Sequence, residues 1–264
     1  VSEEEHCFYL LDNKSEKVDI QYDTDISLER TLAVVSTFSD TSSCQIKKTF
    51  EMGFAPPFDY SFFETLRKEG LIGIKADEIS ITKFGRIVSS NFLKVFHAVY
   101  IKKFNEEDVR EIIFQILPFP NIYLTNKLQA TLKIDSSSLF SGTTLEKIYF
   151  QNRKEQLSRH GEEVLINLLT EFFSCDCKNA PYCNCPKIEI GKRLLDLRKA
   201  RLSPNRMSEE FRKEYGLKIF PADLINWLDS GIRILETSEK IFLHFGREKQ
   251  RKMALKEIEG IVGN

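Results

Sequence analysis

Cys175-Asp-Cys177-Lys-Asn-Ala-Pro-Tyr-Cys183-Asn-Cys185-Pro186 gathers four of the chain's six cysteines into eleven residues, as two Cys-x-Cys pairs five residues apart. Thiols flanking a single residue can aim at a common centre, and Asn179 and Pro181 can turn the chain so that the second pair meets the first. Four thiolates so placed are tetrahedral chemistry, for which zinc is the default metal. Two disulfides, or four free thiols in a loop, would use the same residues. Disulfides suit small secreted domains, and a 264-residue chain with no signal-peptide pattern at its start does not read as one. A reactive zinc keeps one position open for water, whereas four thiolates close the site. No Glu or His is placed by spacing as a general base, and the His-x-Glu of zinc deaminases is missing. Cys175, Cys177, Cys183 and Cys185 are therefore expected to hold a structural zinc. The remaining cysteines, Cys7 and Cys44, are expected to be buried thiols.

Downstream of the cluster, Ile188 to Arg201 has helical periodicity. Ile190, Leu194 and Leu197 fall on one side, with Lys192, Arg193, Arg198 and Lys199 on the other. Residues 187–218 carry ten basic side chains against five acidic ones, so a net charge near zero hides a basic segment. Such a run is either a solvated helix face or a phosphate-contacting surface, with Arg201 at its end. Ser203 followed by Pro204 is an N-cap with Pro at the first helical position, and Gly216 is the matching C-terminal stop. Phe220 to Leu243 reads as a helix of roughly six turns. It carries Asn226, Arg233 and the chain's single tryptophan, Trp227, whose alternatives are core packing and strand contact. A basic amphipathic helix over 247–261 ends the chain.

Upstream, the apolar spacing predicts a helix from His160 to Phe173, carrying Val164, Leu165, Leu168, Leu169 and Phe172. Asn105 is expected to cap a helix ending at Leu117-Pro118, and residues 121–133 to form another. A polar turn over 135–138, a helix opened by Thr143 or Thr144, and a surface helix or linker over 151–159 complete this helical middle region. Nearer the start, Ser27 is a plausible cap for a helix with Leu28, Leu32, Val35 and Phe38. A second helix runs from Ser43 toward Met52, and a third from Tyr60 to Lys68 with Phe62, Phe63 and Leu66 inward. Two short β-rich segments around Ile72 and Ile79 follow, then a helix from Thr82 toward Leu93. Three helices and a hairpin in that order predict a winged helix. Its third helix offers only Arg67 and Lys68, beside Glu64 and Glu69, which makes a poor groove reader and favours a packing role. Residues 1–30 carry nine acidic against three basic side chains, with Lys17 to Tyr22 as a short strand or extended connector.

The expected organisation is thus mainly α. A connector or lead-in (1–25) precedes a winged-helix domain (26–104) and a helical domain (105–173). Residues 174–264 form the zinc knuckle with a C-terminal helical region. No apolar run reaches membrane-span length, and the thiol usage fits the cytoplasm. A chain that opens on Val1 reads as a piece of something larger, or as one that has been trimmed. No G-x-x-x-x-G-K-[ST] loop occurs, since Gly191-Lys192 is followed by Arg193, and no DExH-type box is present. His6, His97, His160 and His244 are scattered, none in a triad-like setting. The residues supply no ATPase and no catalytic site.

Gly70-Leu-Ile, followed by Ile81-Thr82-x-Phe84-Gly-Arg86-x-Val88-Ser-x-x-Phe92-Leu93, resembles the winged-helix tail of Ski-like (superkiller-type) superfamily two helicases. Tyr215-Gly-Leu, Pro221 and Asp223-Leu224, leading into a long helix, resemble the ratchet-helix entry of Ski-like and archaeal Hel-type helicases. The run from Cys175 through Leu202-Ser-Pro-Asn-Arg206 to Trp227-Leu-Asp-Ser-Gly231 is most similar to the archaeal branch with a cysteine-rich insert. The resemblance covers roughly residues 18–245. It implies the non-motor C-terminal region of an ATP-dependent DNA or RNA helicase, with RecA-like motor domains in the same polypeptide. The winged helix would brace the motor while a ratchet-like helix guides single-stranded nucleic acid. The two positions that carry Arg and Trp in Hel-type ratchet helices are Asn226 and Arg233 here, with Trp227 the neighbour of the first. The implied molecule is a monomer that touches no membrane. Two other readings stay open: a stand-alone winged-helix DNA-binding regulator with a structural zinc, and a protein-interaction module.

Overall fold

Thr82 shows how short sequence signals fix the first part of the chain. Its hydroxyl accepts from the Gly85 amide at 3.0 Å and lies 2.8 and 2.9 Å from the carbonyls of Gly70 and Leu71. One side chain therefore caps a helix and ties it to the preceding turn, a capping role worth about 1 kcal/mol. In the computed structural model, residues 27–38, 41–52, 60–75, 78–133, 148–149 and 162–263 are described. The expected strand at Lys17–Tyr22, Cys7, His6 and His160 lie outside them, as do the turn and linker between residues 134 and 161 apart from Ile148 and Tyr149.

The chain divides into two compact units at Val95/Phe96. The first contains α1 (Ser27–Thr37), β1 (Thr41–Ser42), α2 (Ser43–Met52), α3 (Ser61–Lys68), β2 (Ile72–Lys75), β3 (Glu78–Ile81) and α4 (Lys83–Ser90). The strands form an antiparallel sheet in the order β1–β3–β2. Ile72 faces Ile81 and Lys75 faces Glu78 in the hairpin, while Thr41 pairs with Ile79. Leu32, Val35, Ile46, Phe63, Leu66, Leu71, Ile79, Phe84 and Val88 are buried and make the core. Phe38, one of the apolar positions assigned to this helix, lies just beyond its end and is 40% exposed. Cys44 is exposed on α2, contrary to expectation, because Ile46 and Phe50 take the buried side of that helix.

The second unit is also mainly helical. It contains α5 (Val95–Lys103, whose first residue closes the first unit), α6 (Arg110–Ile116), β4 (Ile122–Leu124), α7 (Asn126–Thr131) and α8 (Glu162–Phe172). Then come α9 (Cys185–Lys199), α10 (Pro204–Tyr215), β5 (Leu217–Ile219), α11 (Pro221–His244) and α12 (Glu248–Val262). Phe172, Phe211 and Tyr215 stack into an aromatic cluster with centroids 4.6–6.2 Å apart. Along α11, Leu224, Trp227, Leu228, Gly231, Ile234, Leu235, Ser238, Ile241 and Phe242 are buried at three- and four-residue intervals. Helix α11 packs most extensively on α12 and also meets α6 and α10, with Trp227 beside Phe119 and Gly231 beside Ile113. Gly191 on α9 is required by close approach, since a Cβ there would lie 2.5 Å from the Phe114 ring. Gly216 closes α10 at φ +64, as its sequence position predicts.

Two expectations fail here. The segment 121–133 is not one helix: Ile122–Leu124 pairs antiparallel with Leu217–Ile219, and only Asn126–Thr131 is helical. The alternating Ile122 and Leu124 are buried and satisfy a strand, while Thr125 caps the short helix that follows. Asn105 does not cap α6 either. Its side-chain oxygen accepts from Arg247, and α6 starts five residues later, with Asp108 accepting from the Arg110 amide.

Candidate metal centre

The cysteine loop joins the end of α8 to the start of α9. Backbone bonds from Ala180 N to Cys177 O (3.0 Å) and from Tyr182 N to Asn179 O (2.7 Å) fold the five-residue spacer back on itself. Helix α9 begins at Cys185 itself, earlier than the periodicity from Ile188 predicts, because Pro186 is well suited to a first turn. The Sγ atoms of Cys175 and Cys183 lie 3.5 Å apart, as do those of Cys177 and Cys185. All four sulfurs fall within 4.8 Å of one another, and the cysteines are free thiols. Tetrahedral zinc at a Zn–S distance of ~2.3 Å places its sulfurs ~3.8 Å apart, so the spacing and the donor set both suit a bound metal ion.

Left to themselves, the four thiols oppose ionisation. The Cys185 thiol is pushed up to about 12, first by its hydrogen bond to Cys177, then by burial and the neighbouring thiols. Crowded thiols resist ionising together, and a divalent cation at their centre reverses that preference. Cys185 also opens a fifteen-residue helix, whose positive end favours a thiolate.

The basic side chains expected to contact nucleic acid divide sharply. Lys192 Nζ lies 2.8 Å from Glu189, a bond that raises its pKa. Arg193 bridges Glu214 at 3.0 Å and Glu171 at 3.7 Å. Arg198 donates to the carbonyls of Ile261 and Val262 at 2.9 and 3.2 Å, closing the last turn of α12. Lys199 pairs with Glu257 at 2.7 Å. Four of the named α9 cations are thus spent inside the molecule. Arg201, Asn226 and Arg233 are exposed. Asn226 and Arg233, seven residues apart, share one face of α11 with Asp229 and Glu236, so that face is mixed in charge rather than basic. Trp227 is buried at 6% exposure with its ring 6.3 Å from that of Phe119. It faces the interior and not the side of Asn226 and Arg233.

Sequence reasoning missed a second basic surface. The pairing of β4 with β5 opens a cleft of about 810 Å³ bordered by Tyr123, Lys127, Arg212, Lys218 and Phe220. The signal was the alternation in Ile122-Tyr-Leu124 and Leu217-Lys-Ile219, two runs too short to be read as strands until they are seen paired.

The chain belongs to a family of unknown function, DUF5814, whose model matches residues 117–261. Along its whole length it is also 24% identical to a protein of Methanocaldococcus jannaschii named "Probable ATP-dependent helicase". The chain spans about a third of that relative, 31% of its length. The relation is to a helicase-associated region. Among the described residues no helix is long and apolar enough to cross a membrane.

Proposed function

We propose that this chain is a non-motor, C-terminal region of an ATP-dependent DNA or RNA helicase, bracing the motor and guiding single-stranded nucleic acid. The observation that carries the reading is the end-to-end similarity to the archaeal protein named as a probable ATP-dependent helicase. The first unit is read as a winged helix, supported by three helices around a β1–β3–β2 sheet with a terminal hairpin. With only Arg67 and Lys68 as cations on α3, it serves as a packing module. The four cysteines hold zinc, which fixes the start of α9. Helix α11 acts as the ratchet-like element, its exposed Asn226 and Arg233 meeting the strand together with Arg201. The α9 cations are held by the fold, Lys192, Arg193 and Lys199 in ion pairs and Arg198 on helix-end carbonyls, so they position α9 rather than contact the strand. The partners are RecA-like motor domains in the same polypeptide, with the accessory region monomeric and cytoplasmic.

Single-strand binding by the full chain, titrated against salt for wild type and Arg233→Ala, tests this. The expected result is salt-dependent, weakly sequence-specific binding that Arg233→Ala weakens about three- to tenfold. Absence of binding to any single strand at low salt would sink the proposal.

A further inference from the structure

The cleft between β4–β5 and α10 differs from every other basic place on the molecule described so far. Tyr123 and Lys218 are cross-strand partners, so both side chains leave the strand pair on one face. Phe220 follows β5 directly and stays 43% exposed. Its ring meets Tyr123 edge to face at 5.5 Å, and the Lys218 ammonium sits 4.4 Å from its centroid. Lys127, from α7, and Arg212, from the last turn of α10, are both exposed and border the same cleft. Among the described residues that line it, none is acidic. Two aromatic rings, three exposed cations and the amide of Asn126 therefore converge on one concavity of about 810 Å³.

Phe220 already packs edge to face with Tyr123 and beneath the Lys218 ammonium, yet remains partly exposed, so a flat apolar ligand can still reach it. The three cations around it have no acid in the described lining to neutralise them, and an anion would relieve their mutual repulsion. Single-stranded nucleic acid supplies both features, bases that stack and a phosphate for each base. A small phosphorylated metabolite would meet the cations but would leave the aromatic pair uncovered.

We propose that the Tyr123–Phe220 cleft is a single-strand nucleic-acid subsite, in which a base packs on the aromatic pair and flanking phosphates engage Lys127, Arg212 and Lys218. This rests on the reading that the chain handles nucleic acid, and adds to the α11 contacts a site where a base can be held. Phe220 is also the N-cap residue of α11, so a strand leaving the cleft meets that helix at its first turn, with Asn226 and Arg233 further along.

The test measures binding of the full chain to oligothymidylate and oligouridylate of about 12 nucleotides, for wild type, K127A/R212A/K218A, Phe220→Ala and, as a control, Lys252→Ala on the exposed side of α12. Circular dichroism and melting temperature verify that the variants fold. The expected result is about tenfold weaker binding for Phe220→Ala. For the triple variant the log–log salt slope should fall by about 2, at ~0.7 for each lost phosphate contact. Lys252→Ala should match wild type. A wild type that binds while Phe220→Ala and the triple variant bind equally well overturns the subsite and leaves the helicase reading standing. A wild type that binds neither strand overturns the helicase reading itself.

Discussion

Helix α9 and the β4–β5 cleft are both rich in cations, and the structure uses them in opposite ways. On α9, Lys192, Arg193, Arg198 and Lys199 each reach a carboxylate or a helix-end carbonyl of the same chain. In the cleft, Lys127, Arg212 and Lys218 border a concavity whose described lining holds no acid. A charge count along the sequence cannot separate the two cases, because the carboxylates that neutralise α9 come from Glu171, Glu214 and Glu257 as well as from the helix itself. What matters for a polyanion is the charge left after the fold has taken its share. The comparison predicts that changes on α9 cost stability and changes in the cleft cost binding.

The largest effect is expected at the point where α9 is anchored. If the cluster holds zinc as proposed, Cys183→Ser removes one of four thiolates, and with it the closed coordination that would hold the end of α8 to the start of α9. Elemental analysis should find about one zinc per wild-type chain and little in the variant. The variant should lose on the order of a few kcal/mol of stability, because a metal bound at such a site makes binding and local folding one free energy. Any loss of strand binding should then track the unfolding of this end of the unit. A variant that keeps wild-type stability without metal would break the structural assignment.

At the other end of α9, Arg198→Ala strips two hydrogen bonds from the last carbonyls of α12. Charge-assisted bonds of this kind are worth about 1–2 kcal/mol together once solvent competition is counted. For a chain of this size that lowers the melting temperature by roughly 2–8 °C. Binding of a single strand should change less than twofold, the reverse of the pattern expected for the cleft residues. If Arg198→Ala instead abolished binding and left the melting temperature alone, the division between the two regions would collapse.

How far the sequence carries these conclusions depends on the range of the interactions involved. The cysteine cluster was legible because its ligands fall within eleven residues and the chemistry needs only local chain reversal. Ser203 and Gly216 were legible for the same reason, since caps act within a single turn. The six-turn length of α11 was legible too, whereas the inward side of Trp227 was settled only by its packing beside Phe119. The cleft was not legible, because Tyr123 and Lys218 become neighbours only when strands almost a hundred residues apart pair. The state of the α9 cations was hidden likewise: Arg198 and Lys199 find their partners some sixty residues downstream. Even the failed cap at Asn105 is a long-range effect, with Arg247 taking the oxygen that the local pattern assigned to the helix.

A smaller effect is expected at the Lys199–Glu257 pair, which is partly buried on the glutamate side. A double-mutant cycle over Lys199→Ala and Glu257→Ala should give a coupling of about 0.5–1 kcal/mol, reduced at high salt because Lys199 remains about one third exposed. Zero coupling would mean that the lysine is not committed to the fold and returns to the list of strand contacts.

The smallest effect lies at Asp108, which Arg110 links through Asp196 to the outer side of α9. Burial works to raise the Asp108 pKa, but the hydrogen bonds and charge of Arg110 outweigh it and hold the carboxyl below its ordinary value. A carboxyl depressed in the folded state favours folding once it is ionised in the unfolded chain, above about pH 4, and that contribution is lost as pH falls through the lower folded value. Asp108→Asn should therefore be less stable than wild type at pH 7 and at pH 5, with the gap closing below about pH 4. Because the pair is partly exposed, screening limits the gap to about 0.5 kcal/mol. A gap that instead widened toward low pH would require Asp108 to be protonated in the folded chain. Arg110 would then rely on Asp196 alone, and the α6–α9 contact would be weaker than its distances indicate.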